Sequence, residues 1–206
     1  MPHKTLGILL AGGQARRMGG GDKCLRALGG KPILAQVIAR ARPQVTDLIL
    51  NANGDPARFS DFGLRVVPDV IEGFAGPLAG ILTGMEWAAK HEPTCDLIAS
   101  FATDTPFFPL DLVSRMEAAF PAQGADIACA KSGGRTHPVF GLWPVDLHED
   151  LREAMLVEDL RKIDAWTARY RVAEVDWPIA PFDPFFNTNR PEDLAEAERL
   201  LAAREE

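Results

Sequence analysis

Apolar residues gather in short runs that end on glycine, asparagine or aspartate, and between those runs they recur at helical spacing. Leu6 to Ala11 is one such run, closed by Gly12 and Gly13, as expected for a buried strand. Asp47 to Asn51, Leu64 to Asp69 and Cys95 to Thr103 repeat the pattern. Pro32 to Ala41 and Pro77 to His91 each open on proline, which suits the first helical position, and carry apolar residues on one helical face. Leu110 to Phe120 reads as a further helix. Asp126 to Lys131, Gly133-Gly134 and Thr136 to Trp143 read as strand, turn and strand. Leu147 to Tyr170 is helical by composition, Arg171 to Asp176 a strand, and Pro191 opens a closing amphipathic helix with acids in its first turn. Strands alternating with helices predict βαβ units and a mostly parallel sheet: one three-layer α/β domain over residues 1–206. The stripe Leu78, Ile81, Leu82 and Met85 is core on this reading.

Charge narrows the function classes. With 22 Lys and Arg against 29 Asp and Glu the net charge is −7, which argues against a broad nucleic-acid footprint but leaves room for a small basic pocket. Cys24, Cys95 and Cys129 stand far apart without a CxxC pair, which fits reduced thiols in the cytoplasm. No apolar run is long enough for a membrane span, and the 4 histidines show no zinc spacing.

The strongest chemical signal is Leu9 to Lys23. Five glycines lie between Gly12 and Gly21, and Arg16, Arg17, Lys23 and Arg26 face a single acid, Asp22, in an otherwise acidic chain. Glycines let the backbone close on a ligand and turn its N–H groups inward; with cations added, the loop suits a polyphosphate better than a solvated turn. The order Gly-Asp-Lys-Cys excludes a Walker A loop, and GxGxxG is absent. Asp104 ends an apolar strand at the carboxyl edge of the predicted parallel sheet, where ligands of such sheets collect. It either holds a hard cation such as Mg²⁺ or caps the helix that follows; the phosphate loop opposite tips the reading to metal. A carboxylate left unpaired without metal predicts that Asp104→Asn folds as well as the wild type, or slightly better. Lys23 suits charge neutralisation at an α-phosphate, against the alternative of a solvated surface lysine. Asn51 and Asp69 each end a predicted strand, and an Asp there can accept hydrogen bonds from a ligand's N–H groups or form an ordinary turn.

Taken together, LAGG-xxx-RMG-x-x-DK after the first strand resembles the signature of molybdenum cofactor guanylyltransferases. The resemblance continues through Asn51 to Asn53, Pro68-Asp69, Gly76 to Ile81, Asp104 to Phe107, Arg135 to Phe140 and the closing FFNTN and PEDL. It spans nearly the whole chain and implies a glycosyltransferase-A-like, Rossmann-like nucleotidyltransferase fold. The implied reaction moves GMP from GTP to the terminal phosphate of molybdopterin or Mo-molybdopterin, with Mg²⁺, releasing pyrophosphate.

The resemblance also implies roles for residues. Leu10, Ala11 and Gly12 belong to the GTP-binding loop; Lys23, Asn51, Asp69 and Asp104 contact the nucleotide; Asp104 holds the metal; Arg17 is the motif arginine. Gly13 stands where CTP-using relatives differ. Arg135, His137, Asn187 and Asn189 are assigned to the pterin side, residues 1–109 mainly to GTP and 110–206 mainly to molybdopterin. A cytoplasmic monomer is expected, without nucleic acid or membrane, with transient contacts to a molybdenum-inserting enzyme and to recipient molybdoenzymes or their chaperones. Cytidylyl transfer to the same pterin, sugar-phosphate nucleotidylyl transfer and a silent nucleotide-binding scaffold are the alternatives; retention of Lys23 and Asp104 speaks against the last. Two positions depart from the pattern: Ala15 replaces a small polar residue, and Arg190 stands for a threonine, which puts the cap of the closing helix in doubt.

Overall fold

The computed structural model describes residues 3–12, 22–73 and 76–202. In chain order its elements are β1 (Thr5–Leu10), β2 (Ala27–Leu28), β3 (Lys31–Pro32), α1 (Ile33–Ala41), β4 (Asp47–Asn51), β5 (Arg65–Val67) and α2 (Pro77–His91). There follow β6 (Leu97–Ala102), α3 (Leu112–Gln123), β7 (Ile127–Ser132), β8 (Arg135–Pro144), α4 (His148–Leu156), α5 (Ile163–Thr167), β9 (Val172–Trp177) and α6 (Pro191–Ala202). Seven strands form one sheet in the order β5-β4-β1-β6-β8-β7-β9, and β2 and β3 pair as a separate ribbon. β8 alone runs against the other six, so the sheet is mostly parallel.

Alternation along the strands feeds two cores. Leu6 and Ile8 of β1 pack with Leu78, Ile81, Leu82 and Met85 of α2 and with α4 and α5 residues, among them Leu151 and Trp166. Leu9 faces the other way, into a cluster with Ile33, Leu34 and Val37 of α1, Leu112 and Met116 of α3, and Ala197 of α6. The layers are therefore helices, sheet and helices. The crossovers place their strands on opposite sides of β1: α1 leads from β1 to β4 on one side, and α2 carries the chain from β5 to β6 on the other. That reversal marks the crevice where parallel sheets bind ligands. Among the described residues no helix is long and apolar enough to cross a membrane.

Most elements lie where the pattern puts them, and β4 and α2 match their predicted spans. The hairpin between β7 and β8 pairs Ser132 with Arg135 across Gly133 and Gly134, at φ 53° and 77°; a two-residue turn with both central residues at positive φ calls for glycine. The helix predicted over Leu147 to Tyr170 is two helices, α4 and α5, separated by a stretch in which Asp159 takes φ 54°. α3 runs past Pro121 to Gln123, because a proline in the last turn removes little of the hydrogen-bond ladder. The start of α6 keeps its cap despite Arg190: Asp193 Oδ2 accepts from the Asn189 and Arg190 N–H groups at 2.8 Å each.

Candidate active site

Strand register sets the geometry. Leu10 pairs with Asn51 and with Ala102, and Asn51 with Val67, so the carboxyl ends of β1, β4, β5 and β6 lie in one row. Two residues beyond that row stand Gly12, Asn53, Asp69 and Asp104. They line an open cavity of about 1160 Å³ together with Leu10, Ala11, Lys23 and Asn51. Arg135, His137 and Asn187 close it from the other half of the chain. Cys24 also lines it, but burial pushes its thiol up to about 12, assisted by the Asp22 charge, so it is no nucleophile at neutral pH.

Lys23 is 9% exposed, far from a solvated surface lysine. Its ammonium donates to Asp104 Oδ2 at 2.7 Å and to Asn189 Oδ1 at 2.5 Å. Asp104 caps no helix; α3 begins only at Leu112, behind a run of turns. The segment 187–189 is fastened to Asp104 and its neighbour. Thr188 donates through its N–H and its hydroxyl to the Asp104 carbonyl at 2.9 and 3.0 Å, and Thr105 Oγ1 donates to Asn187 Oδ1 at 2.5 Å. Thr105 and Thr188 are fully buried.

Across the cavity, Asp69 is held at both oxygens. Asn51 Nδ2 donates to Oδ1 at 2.9 Å and Asn53 Nδ2 to Oδ2 at 2.7 Å, while the Asp69 N–H donates to Asn53 Oδ1 at 2.9 Å. A carboxylate has about four acceptor positions, so two remain for a ligand. α2 comes close here because Gly80 has no side chain: a Cβ would stand 2.5 Å from Asn51 Oδ1 and 2.7 Å from Leu10 Cδ2.

On the far wall His137 Nε2 lies 2.7 Å from Ser132 Oγ, whose hydroxyl donates to Asp183 Oδ1 at 2.8 Å. The ring stacks on Phe185 with centroids 4.5 Å apart. With the Ser132 proton spent on Asp183, His137 donates from Nε2 and its neutral form keeps a lone pair at Nδ1. Burial lowers its pKa, Asp183 opposes that, and Arg135 adds to it. Ser132 sits between histidine and acid and is 1% exposed, so this is no nucleophilic triad.

Thus Leu10, Ala11, Gly12, Lys23, Asn51, Asp69, Asp104, Arg135, His137 and Asn187 share one cavity, with Asn189 bonded to Lys23. Gly13 and Arg17 lie outside the described residues. The sequence reading missed Asn53, Thr105, Thr188, Ser132 and Asp183, and also Arg58, whose Nε is 2.6 Å from Asp22 Oδ2. Asn53 is legible in Asn-Ala-Asn; each of the others has at least one partner far away in sequence, Asp22 for Arg58, Asp183 for Ser132, Asn187 for Thr105 and Asp104 for Thr188. Among the described residues no cluster of three or more His, Cys, Asp or Glu could hold a metal alone. One carboxylate with amide oxygens beside it, facing an open cavity, fits an Mg²⁺ that takes its other ligands from phosphates and water.

Comparison with known proteins gives the family and the fold. Residues 7–173 match the model of the MobA-like NTP transferase domain. A molybdenum cofactor guanylyltransferase of Bradyrhizobium sp. (strain ORS 278) is 61% identical, covering 95% of this chain and 92% of that protein. One from Rhodopseudomonas palustris (strain BisB5) is 57% identical, covering 95% and 93%. The crystal structure of molybdopterin-guanine dinucleotide biosynthesis protein A from Archaeoglobus fulgidus shares the fold, with a TM-score of 0.73 and 23% identity over 96% of this chain and 99% of that one. A domain match over most of the chain and relatives of this identity at nearly full length place it: the chain belongs to the molybdenum cofactor guanylyltransferases, within the MobA-like NTP transferases.

Proposed function

We propose that the protein transfers GMP from GTP to the terminal phosphate of molybdopterin, or of Mo-molybdopterin, and releases pyrophosphate. The observation that carries this is the pairing, across one cavity, of Lys23 and Asp104 with the twice-anchored Asp69. The two free acceptor positions of Asp69 suit guanine N1–H and N2–H₂, with Asn51 fixing the carboxylate and Gly80 making room for Asn51. The backbone from Leu10 to Gly12 lies beside the nucleotide, and Lys23 meets the α-phosphate, stabilising the charge that builds as the new bond forms. An oxygen of the acceptor phosphate attacks the α-phosphorus; the bond to the β-phosphate oxygen breaks and pyrophosphate leaves with that electron pair. The attacking phosphate is already ionised near neutral pH, so no general base is needed. Asp104 would hold Mg²⁺, with Asn187 and Asn189 nearby, and the ion would supply charge stabilisation for the leaving pyrophosphate. Arg135 and His137 line the wall assigned to the pterin, with Phe185 stacked behind the His137 ring and Arg135 suited to the pterin's phosphate. The free thiols fit a cytoplasmic setting.

The test is pyrophosphate release with molybdopterin, run separately with GTP, CTP and ATP. GTP should be used at least about tenfold better, since a site built for a base's polar edge rejects bases that leave its groups unpaired. Equal turnover of CTP would overturn the guanylyl reading and leave the fold intact.

A further inference from the structure

Arg58 belongs to no motif of the chain, yet it joins two parts of the cavity that are far apart in sequence. It lies in the 3₁₀ turn Pro56–Phe62, after β4. Its guanidinium donates from Nη2 to the Asn53 carbonyl at 2.5 Å and from Nη1 to the Asp55 carbonyl at 3.1 Å. Nε, sealed from solvent, stands 2.6 Å from Asp22 Oδ2, an ion pair by distance rather than a straight hydrogen bond. The side chain is 30% exposed and lies over the Phe59 ring, 4.7 Å from its centre, so its fork has little freedom to swing away. Each end of this bridge leads to a site residue. Asn53 is the residue that fixes Asp69 at both its carboxylate and its N–H. Asp22 stands at the N-cap position of the short turn Lys23–Leu25; its carbonyl accepts from the Leu25 N–H at 3.1 Å while its side chain makes no capping bond, so the link from Arg58 reaches Lys23 through the Asp22 backbone.

We infer that Arg58 is a positioning residue for base selection: it locks the Asn53–Asp69 pair, which meets the guanine, to the turn that carries the phosphate-facing Lys23. The inference rests on the proposed assignment of Asp69 to the base. Base and triphosphate are then held at a fixed separation through Asp22, Arg58 and Asn53, rather than by two independent loops. Lysine cannot replace the fork, because a single ammonium cannot reach two carbonyls and a carboxylate together.

The test compares dissociation constants for GTP and inosine triphosphate, which lacks the 2-amino group, on the whole protein with Mg²⁺. The wild type should prefer GTP by about tenfold or more, the scale of a lost partner for a built acceptor. Asp69→Asn should abolish the preference. Arg58→Ala and Arg58→Lys should cut it at least threefold, mainly through weaker GTP binding, and Asp22→Asn should act in the same direction. A merely structural role would weaken both nucleotides equally and leave the ratio alone. Should Arg58→Ala fail to fold, Asp22→Asn and Arg58→Lys carry the test. If Asp69→Asn erases the preference while the Arg58 and Asp22 variants keep it, the inference is wrong and the base assignment stands. If Asp69→Asn leaves the preference intact, the base assignment itself falls, and the inference with it.

Discussion

Asp104→Asn removes one charge from a cavity wall and leaves the shape in place. From the sequence alone the change is expected to be neutral to folding or slightly favourable, because a carboxylate unpaired without metal gains nothing from its charge. The structure reverses that sign: Asp104 Oδ2 is 2.7 Å from the Lys23 ammonium, with side chains 28% and 11% exposed. Coulomb attraction at that distance runs from about 1.5 kcal/mol in water to about 6 kcal/mol at an effective dielectric near 20. Desolvation offsets much of it, and the exposure of Asp104 screens more. Breaking a fully buried pair costs about 3–5 kcal/mol and a surface pair about 0–1, so an intermediate loss of about 1–3 kcal/mol is expected here. For a chain of this size that lowers Tm by about 3–10 °C. The assay is thermal unfolding without nucleotide or Mg²⁺, alongside Mg²⁺-dependent pyrophosphate release. A double variant, Lys23→Met with Asp104→Asn, should recover part of the stability, because the stranded ammonium is gone. Turnover of Asp104→Asn should fall by about a hundredfold or more, with extra Mg²⁺ restoring only part of it. An unchanged Tm would show that the pair contributes nothing; near-normal turnover would remove Asp104 from the metal site.

Lys23→Ala should lower turnover by about a hundredfold or more and GTP affinity much less, since the backbone N–H groups of the loop remain; equal losses in both, from steady-state rates and equilibrium binding, would make Lys23 a ground-state binder. Gly80→Ala drives a methyl group to 2.5 Å from Asn51 Oδ1, so GTP should bind about tenfold more weakly, with a stability loss of about 1–3 kcal/mol from overpacking; calorimetric binding and a thermal scan read both. His137 titrates below its ordinary value, chiefly through burial. Its unfolded form therefore takes up a proton before the folded form does, and stability should fall as pH drops through about 6.5 and below. His137→Gln should flatten that part of the stability-against-pH curve, and an unaltered slope would show that another group causes it.

The fold was legible wherever a local pattern has a single reading. Asp47 to Asn51 is a compact apolar run between breakers, and Pro77 to His91 opens on proline with a long buried stripe; both match the structure. The pattern failed between Leu156 and Ile163, where composition favours a helix. Asp159 turns left-handed there, and Leu156 and Val157 point to solvent, which helical periodicity cannot foresee. The site divides in the same way. Lys23, Asp69 and Asp104 sit at strand exits or in a glycine-rich loop, and local context gives them away. Arg58 reaches Asp22, Ser132 reaches Asp183 and Thr188 reaches Asp104, and no short window of sequence contains both ends of those contacts.

The fastening of residues 187–189 onto Asp104 and Lys23 has a consequence for the order in which the protein assembles. Lys23 meets Asn189 across 166 positions and Thr105 meets Asn187 across 82, so the cation at the heart of the cavity waits for a partner made near the end of synthesis. Contacts so remote in sequence are slow to form, because the chain entropy of the intervening loop must be lost first. β4, which bears Asn51, and β5 and β6, which lead to Asp69 and Asp104, all precede residue 105, so the β5-β4-β1-β6 part of the sheet can align while the cavity still lacks its last wall. A nascent chain lacking residues 187–189 would then carry an ordered nucleotide half with a poorly tethered ammonium. Complete anchoring of Lys23 would then depend on a contact of high sequence separation, added to the Asp104 pair that the first half of the chain already supplies.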